Sequence, residues 1–284
     1  MTRGLARSVL ITPATSERML ERAAGSAADI VVIDLEDSVT ASDKAAARGR
    51  AVAAVRGLDW GGSSVACRIN ALDGRWGAAD LDALLGECAD LLDSVVVPKV
   101  RLPEDLAPVR GVHASVMVED ARAYAFLREI CAVDGVRSLI FGHGDFAASL
   151  GVASAVLTPG AAPDPAGPFP SVRAHFAVMV KAFGHVAVDT PYPDFHDPDG
   201  FRAEARWAKS AGFDGKLCIH PDQVPLANDV FGPTGTELAA AAEMIQAFEV
   251  QEASVFAWRG RMVDEVALRV ARDTWERGRQ AGLV

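Results

Sequence analysis

Short apolar segments recur along the chain of 284 residues, and stretches with helical character separate them. One separating stretch carries Ala123, Phe126, Leu127 and Ile130 at i, i+3, i+4 and i+7, which predicts a helix with one apolar face. Strongly apolar strands that alternate with helices are typical of a parallel sheet covered on both faces. The predicted strands are Ser8–Ile11, Ile30–Ile33, Val65–Ile69, Val95–Val97, Val116–Val118, Leu139–Phe141, Val186–Val188 and Leu217–Ile219.

Eight strand–helix units in a chain of this length predict an α/β fold of the (β/α)8 TIM-barrel type. The alternative is an open doubly wound sheet, but no Gly-x-Gly-x-x-Gly follows the first strand to support dinucleotide binding. We expect the barrel to occupy residues 1–232 and a short helical C-terminal extension to occupy residues 233–284.

Charged and polar residues follow nearly every predicted strand, and in a parallel barrel these positions meet at the rim where active sites lie. Glu119 and Asp145 follow neighbouring strands, where two carboxylates repel each other unless a cation lies between them. Oxygen ligands with room for substrate and water suit Mg²⁺, or Mn²⁺ in its place. The alternative is that each acid only caps a helix. The other residues expected at the rim are Asp34, Glu36, Asp37, Arg68, Asn70, Lys99, Asp189 and His220.

Arginine side chains near this rim have two interpretations each. The planar guanidinium of Arg68 can bind a carboxylate or an enolate oxygen, or it can pair with the acids of 34–37, which we expect to hold Arg68 and Lys99 in place. Arg18 and Arg22, four residues apart, form a basic helix face that can meet phosphates, or one that is simply solvated.

Composition, charge and the length of apolar runs limit the classes of protein to which this chain can belong. A net charge of -10 argues against nonspecific binding to nucleic acid or to an anionic membrane. The four cysteines show no Cys-x-x-Cys pairing and are expected to be free thiols in a reducing compartment. No apolar run approaches the length of a membrane span, so we expect a cytoplasmic protein. The proline-rich segment 151–170 is expected to be a loop above the rim.

The motifs, in their order and spacing, resemble the citrate lyase β-subunit family of acyl-CoA lyases, of the malyl-CoA, citramalyl-CoA and citryl-CoA lyase type. The resemblance covers nearly the whole chain. The motifs are RSVLITPA (7–14), VIDLEDSV (32–39), CRIN (67–70), VVVPKV (95–100), VMVED (116–120), FGHGDFAASLG (141–151), GKLCIHP (215–221) and GRMVDEV (260–266).

The resemblance implies a Mg²⁺-dependent carbon–carbon lyase that cleaves or forms a β-hydroxyacyl-CoA thioester by retro-Claisen chemistry. It implies that Glu119 and Asp145 hold the metal, that Arg68 binds substrate and stabilises the enolate oxygen, and that Asp264 protonates the enolate carbon. It further assigns Arg18 and Arg22 to CoA, and Ile219 and His220 to the substrate, where we expect backbone N–H groups to act.

The family also implies a homotrimer or a hexamer built of trimers, with the C-terminal extension packed on a neighbouring subunit. Two other functions stay open: a divalent-metal aldolase on free 2-keto acids, and a non-catalytic subunit that binds CoA or a carrier protein. Three residues depart from the family pattern: Ala14, Asp120 and His143. These departures concern the choice of substrate more than the chemistry. The motifs do not decide which hydroxyacyl thioester is the substrate, whether CoA or a carrier protein carries it, or whether hydrolysis of the thioester follows. They also do not decide between a trimer and a hexamer.

Overall fold

A closed barrel of eight parallel strands forms the larger part of this computed structural model, which describes residues 5–152, 169–251 and 255–284. Each strand pairs with the next one along the chain, and the last pairs with the first. The predicted TIM barrel is therefore confirmed. The strands are β1 (Ser8–Pro13), β2 (Ile30–Asp34), β3 (Ser64–Arg68), β4 (Ser94–Val97), β5 (Ala114–Val118), β6 (Val136–Phe141), β7 (Val186–Asp189) and β8 (Gly215–Cys218).

The core of the barrel interior is a buried cluster with one side chain from each strand, and Ile11, Ile30 and Val186 pack against it. Successive residues of a strand point to opposite faces, so alternate positions face the barrel axis while the others face the surrounding helices. This alternation determines which residues beyond the core reach the rim. The inner cluster consists of Val9, Val32, Ala66, Val96, Met117, Ile140, Val188 and Leu217.

An α-helix follows each strand of the barrel except β4, which is followed by a 3₁₀ segment at Pro103–Val109. Asp197, Pro198 and Gly212 delimit one of these helices as expected, because the Asp197 carboxylate accepts the Gly200 N–H at 2.9 Å and Gly212 has a φ of 102°. The helices are α1 (Glu17–Ala24), α2 (Lys44–Gly57), α3 (Gly77–Glu87), α4 (Ala121–Ala125), α5 (Leu127–Cys131), α6 (His143–Ser149), α7 (Pro170–Ala182), α8 (Pro198–Ala211) and α9 (Gln223–Phe231), with 3₁₀ turns at Ala89–Leu91 and Pro103–Val109.

The prediction of a single helix between β5 and β6 is wrong. Two short helices, α4 and α5, stand there, because the backbone leaves the helical region at Phe126, with φ of −104° and ψ of 20°. Ala123, Leu127 and Ile130 are buried as the periodicity requires, but Phe126 is 38% exposed. The break separates Phe126 from the apolar face that its spacing assigned to it.

The chain divides into two compact units, of which the barrel unit is Ala6–Asn228. The second unit consists mainly of Asp229–Val284 and contains α10 (Gly235–Gln251), β9 (Val255–Trp258), β10 (Arg261–Asp264) and α11 (Glu265–Gln280). Helices α10 and α11 approach so closely that a Cβ at Gly278 would lie 2.3 Å from a methyl carbon of Leu238. The antiparallel β9–β10 hairpin turns through Arg259 and Gly260, both at positive φ, as a tight hairpin turn requires.

A search of the described ranges finds no helix that is both long and apolar enough to span a lipid bilayer. All four cysteines are buried and unpaired, which agrees with the expectation of free thiols. Most of the proline-rich segment, residues 153–168, lies outside the described residues.

Candidate active site at the barrel rim

The rim residues extend the inner face of the strands. Asp34, Arg68 and Glu119 each lie two positions beyond a residue of the inner cluster, so their side chains continue toward the carboxyl end of the barrel. Asp34 and Arg68 are also direct partners in the register of β2 and β3. Hydrophobic alternation along the strands thus brings a cation and two carboxylates above an apolar core.

Arg68 is held by two acids of the preceding strand end. Its Nε and Nη2 donate to the two carboxylate oxygens of Asp34 at 2.6 and 2.7 Å, and its Nη1 lies 2.9 Å from Glu36 Oε2. Burial alone would lower the pKa of the guanidinium, but the hydrogen bonds and charge of Asp34 raise it, so Arg68 stays charged. The ion pair that the sequence left as one interpretation of Arg68 is present.

Glu36 is the least satisfied group at this rim. Its side chain is 6% exposed, and its Oε2 has no hydrogen-bond partner among the described residues, because Arg68 Nη1 approaches it without hydrogen-bond geometry. Burial, together with the nearby negative charges of Asp37 and Glu119, raises the pKa of Glu36 to about 7, although Arg68 and Lys99 oppose the shift.

The segment that carries these acids is fixed by a buried lysine that the sequence interpretation did not use. Lys44 Nζ donates to the backbone carbonyls of Leu35 and Glu36 at 2.8 and 2.7 Å, and Asn70 Nδ2 donates to the Leu35 carbonyl at 3.0 Å. The signal was a lysine at the start of α2, inside an otherwise alanine-rich stretch. These bonds hold the turn after β2, and the Asp34 carboxylate contributes by accepting the Glu36 N–H at 2.9 Å and the Ser38 N–H at 3.3 Å.

Lys99 connects the acids of the rim. Its φ of 57° is unusual for a non-glycine residue and directs its N–H to Glu119 Oε1 at 2.7 Å. Its ammonium lies 3.4 Å from both Glu36 and Asp37 and 3.5 Å from Asp145. The acids after β2 therefore hold Lys99 in place, as predicted.

Glu119 and Asp145 have the properties of a divalent-cation pair. Burial raises the pKa of Glu119, the charge of Asp145 raises it further, and the Lys99 N–H opposes both. A cation between the two carboxylates would remove this repulsion. A Cβ at Gly142 would lie 2.7 Å from Glu119 Cβ and 2.9 Å from Oε2, so glycine is required for Glu119 to keep its position. The oxygen donors and this glycine cradle fit Mg²⁺.

Protein ligands beyond this pair are not found in the described part of the chain, where no group of three or more His, Cys, Asp or Glu residues could hold a metal ion. Substrate and water would then complete the coordination, as is usual for Mg²⁺. The two carboxylates open onto a cleft of about 420 Å³. Its lining includes Ala71, Asp73, Lys99, Arg101, Glu119 and Asp145.

Asp189 does not join the rim, so this prediction is wrong. It follows the inward-facing Val188 and therefore points to the helix layer, where it is fully buried. Arg173 donates to it at 2.9 and 2.7 Å, and Lys216 at 2.7 Å. Glu204 completes this buried cluster by accepting from Lys216 at 2.8 Å, so its formal charges balance. The cluster belongs to the packing between β7, β8, α7 and α8.

His143 lies at the start of the helix that carries Asp145 and binds the end of β7. Its imidazole Nδ1 hydrogen-bonds the buried Thr190 hydroxyl, which also accepts the His143 N–H at 3.3 Å. Burial lowers the pKa of the imidazole. The second departure from the family pattern, Asp120, caps α4 by accepting the Arg122 N–H at 2.7 Å.

The residues after β8 are partly open to solvent. Ile219 is 41% exposed, and its N–H, expected to meet substrate, donates to Gln223 Oε1 at 2.8 Å. His220 stacks on Phe195, with ring centroids 4.9 Å apart and planes 13° apart. The backbone N–H of Ile219 is therefore occupied, whereas the two rings form an accessible aromatic surface.

Two predicted site residues lie on α1, and a third lies in the second unit. Arg18 and Arg22 are exposed on α1, on the side opposite the buried Leu20 and Ala23. Asp264 lies in the second unit and caps α11, where its Oδ1 accepts two backbone N–H groups at 3.0 and 3.1 Å. The capping role that the sequence allowed for Asp264 is thus present, and a catalytic role stays a prediction.

The sequence and the fold both match known proteins. A family model described as HpcH/HpaI aldolase/citrate lyase matches residues 7–221. An L-malyl-CoA/beta-methylmalyl-CoA lyase of Cereibacter sphaeroides is 33% identical, over 93% of this chain and 92% of that protein. A (3S)-malyl-CoA thioesterase of the same species is 34% identical, over 94% and 93% of the two chains.

Among solved structures, the protein CitE from Mycobacterium tuberculosis in complex with magnesium, acetoacetate and coenzyme A superposes with a TM-score of 0.80. It is 32% identical in sequence, and the match covers 97% of this chain and 98% of that one. Both the family model and the full-length relatives cover the barrel and its rim. The chain therefore belongs to the HpcH/HpaI aldolase/citrate lyase family.

Proposed function

We propose that this protein is a Mg²⁺-dependent carbon–carbon lyase that cleaves or forms a β-hydroxyacyl-CoA thioester such as malyl-CoA, citramalyl-CoA or citryl-CoA. The proposal rests on one arrangement within a chain of this family: the buried Glu119 beside Asp145, linked through Lys99 and Glu36 to Arg68. Full-length relatives named as malyl-CoA lyases, and a related structure with magnesium and coenzyme A, support it.

Glu119 and Asp145 would hold the metal, with Mn²⁺ as a substitute for Mg²⁺. When bound, the ion supplies a Lewis acid that polarises the substrate's oxygens. The protein's own contribution is to keep Glu119 ionised and oriented. The Lys99 N–H and the absence of a side chain at Gly142 do this.

Arg68 supplies a fixed positive charge for the oxygen of the departing acyl thioester. Asp34 occupies its Nε and Nη2, and we assign the substrate to Nη1, which donates to Met117 Sδ at 3.7 Å and lies 2.9 Å from Glu36 Oε2. A preorganised donor of this kind stabilises the negative charge that develops on an enolate oxygen. The enolate carbon must then gain a proton, and we assign that step to Asp264.

Recognition of CoA is assigned to Arg18 and Arg22 on α1, and contact with the substrate to the residues after β8, the strand that pairs with β1. Arg18 and Arg22 are exposed cations that suit phosphate groups. Ile219 and the His220–Phe195 stack offer an apolar and aromatic surface for the organic part of the thioester.

A product assay tests the proposal directly. We expect acetyl-CoA and a 2-keto acid from at least one of malyl-, citramalyl- and citryl-CoA, with the activity abolished by EDTA and restored by Mg²⁺. Cleavage of a free 4-hydroxy-2-keto acid without any thioester cleavage would instead indicate the aldolase alternative. An absence of turnover, with CoA or a carrier-protein thioester bound, would indicate a non-catalytic binding subunit.

Thioester hydrolysis is the second candidate function, and the 34% identical (3S)-malyl-CoA thioesterase favours testing it. A lyase releases acetyl-CoA and glyoxylate from malyl-CoA, whereas a thioesterase releases malate and free CoA. Quantifying free thiol against acetyl-CoA separates the two reactions in one experiment.

We further propose that residues 233–284 form an extension that packs on a neighbouring barrel in a homotrimer, or in a hexamer of trimers. Phe256 and Val263 are buried on one face of the hairpin. Val255, Met262 and Asp264 occupy the other face, where Val255 is 51% and Met262 is 78% exposed. An acid within an exposed apolar surface suits delivery to another subunit. The free thiols support a cytoplasmic location.

A further inference from the structure

The unsatisfied carboxylate of Glu36 is the feature that the proposed roles do not explain. Glu36 is 4% exposed, and its Oε2 is a buried oxygen without a hydrogen-bond partner in the described ranges. Buried polar atoms normally have a partner, and an exception calls for an explanation, of which a catalytic role is one. Glu36 does not hold the turn after β2, because Lys44 binds only its backbone carbonyl.

The unpartnered oxygen of Glu36 lies beside Arg68. Oε2 lies 2.9 Å from Arg68 Nη1, the nitrogen that Asp34 leaves unused, and Oε1 lies 3.4 Å from Lys99 Nζ. A substrate whose thioester oxygen binds Nη1 has its β-hydroxyl on the second carbon from the thioester carbonyl, which brings that hydroxyl to the side of Arg68 where Oε2 lies. Asp34 already neutralises Arg68 through two short hydrogen bonds, so charge balance alone does not require Glu36.

We propose that Glu36 is the acid–base group for the substrate hydroxyl, a role that rests on the lyase function proposed above. In cleavage, Glu36 accepts the proton of the β-hydroxyl, whose oxygen becomes the carbonyl oxygen of the 2-keto acid. The carbon–carbon bond breaks, and its electron pair passes to the α-carbon of the acyl thioester as an enolate. That carbon then takes a proton from Asp264. In condensation, Glu36 returns its proton to the new alkoxide.

The surroundings of Glu36 adapt it to this task near neutral pH. Burial, with the negative charges of Asp37 and Glu119, raises the pKa of Glu36 to about 7, and an acid–base catalyst is most efficient near the working pH. Cleavage needs the ionised form, so its rate falls as pH drops through this value. Condensation needs the protonated form, so its rate falls as pH rises. The charged groups that face Glu36 are Asp34, Asp37, Lys44, Arg68, Lys99 and Glu119.

The test compares Glu36→Gln with wild type in two reactions. One is cleavage of the thioester that the wild type turns over. The other is exchange of acetyl-CoA methyl hydrogens with D₂O, in the presence of Mg²⁺ and oxalate, which needs only the carbon-side acid–base group and Arg68. We expect Glu36→Gln to lower the cleavage rate by about 10²- to 10⁴-fold and to keep exchange within a few-fold of wild type.

If Glu36 served only to orient Arg68, exchange and cleavage would fall together, and that result would overturn the proposal. Unchanged cleavage would overturn it as well. The pH profile is an independent readout: the acidic limb of wild-type cleavage should be absent in Glu36→Gln, and its persistence there contradicts the role. A wild type inert in both reactions would reject the lyase function itself, and the Glu36 role with it.

Two further variants serve as controls for the comparison of Glu36→Gln with wild type. Glu87→Gln removes an exposed carboxylate at the end of α3 and should leave both reactions unchanged. Glu36→Asp keeps an ionisable group at the position and should retain more cleavage than Glu36→Gln. Equal thermal melting of all variants excludes unfolding as the cause of any loss.

Discussion

Asp34 binds two of the three guanidinium nitrogens of Arg68, with hydrogen bonds of 2.6 Å to Nε and 2.7 Å to Nη2. The two residues are register partners on adjacent strands, so the barrel itself sets their separation. Although burial alone would raise the pKa of Asp34, the hydrogen bonds and charge of Arg68 lower it. One edge of the guanidinium is thus fixed by Asp34, and Nη1, beside Glu36 and Met117 Sδ, is the nitrogen that we assign to the reaction.

Arg68→Lys should be almost as damaging as Arg68→Ala. An ammonium is a point charge that cannot bind both Asp34 oxygens and also present a third nitrogen in the same plane. We expect kcat/KM for thioester cleavage to fall by about 10²- to 10³-fold in both variants, the usual effect of losing a fixed donor to a developing oxyanion. Steady-state kinetics on purified variants measures this effect.

Arg7→Lys is a matched control for that substitution. Arg7 also binds one carboxylate through two nitrogens, with Asp29 at 2.9 and 2.7 Å, but it precedes β1 at the opposite end of the barrel. The Arg7→Lys variant should lose the same two-nitrogen contact with a carboxylate and keep wild-type kinetics. Wild-type turnover by Arg68→Lys would show that charge alone matters at the rim.

Loss of Glu119 should abolish metal-dependent activity. Glu119→Ala removes one of two protein carboxylates, and we expect at least about a 100-fold loss, at the upper end of what altered metal-site shells cost. The control is Glu87→Ala, which removes an exposed carboxylate at the end of α3 and should stay active. Full activity of Glu119→Ala in excess EDTA would rule out a metal at this position.

Gly142→Ala should weaken metal binding without touching a ligand. Its Cβ would lie 2.7 Å from Glu119 Cβ, so the carboxylate must move. We expect the affinity for Mn²⁺ to fall by about 10- to 100-fold, measured by calorimetry or by electron paramagnetic resonance. Gly144→Ala is the control, because nothing lies within 4 Å of a Cβ there. Equal affinities in the two variants would contradict the cradle interpretation.

Asp264→Asn separates the capping role of Asp264 from its proposed catalytic role. Asparagine caps a helix about as well as aspartate, so stability and assembly should persist. A lost general acid should lower turnover by about 10²- to 10⁴-fold. Thermal melting, size-exclusion chromatography and steady-state kinetics measure the three quantities. A full rate in Asp264→Asn would mean that the proton donor is another residue.

The shared-site proposal is tested by mixing inactive Asp264→Asn chains with inactive Glu119→Ala chains. A mixed oligomer can assemble an intact site from two different chains, so activity should reappear after subunit exchange. An inactive mixture, with exchange verified by differently tagged chains, would reject the proposed contribution of one subunit to the site of another.

The amino-acid sequence by itself determined the barrel and the positions of its rim. Eight apolar segments of strand length, separated by helices, leave few ways to bury both faces of a parallel sheet, and each segment became a strand. The residues that follow these strands could be predicted to converge, because parallel strands end on the same side. Glu119, Asp145, Arg68 and Lys99 follow this rule.

Only the tertiary structure decided which way a side chain points and what it meets. Asp189 follows its strand core by one position, so the alternation of side chains sends it to Arg173 and Lys216 in the helix layer. The left-handed backbone of Lys99 and the unsatisfied oxygen of Glu36 depend on contacts between segments distant in sequence. Local patterns record burial and periodicity, whereas these features arise from close packing around a closed barrel.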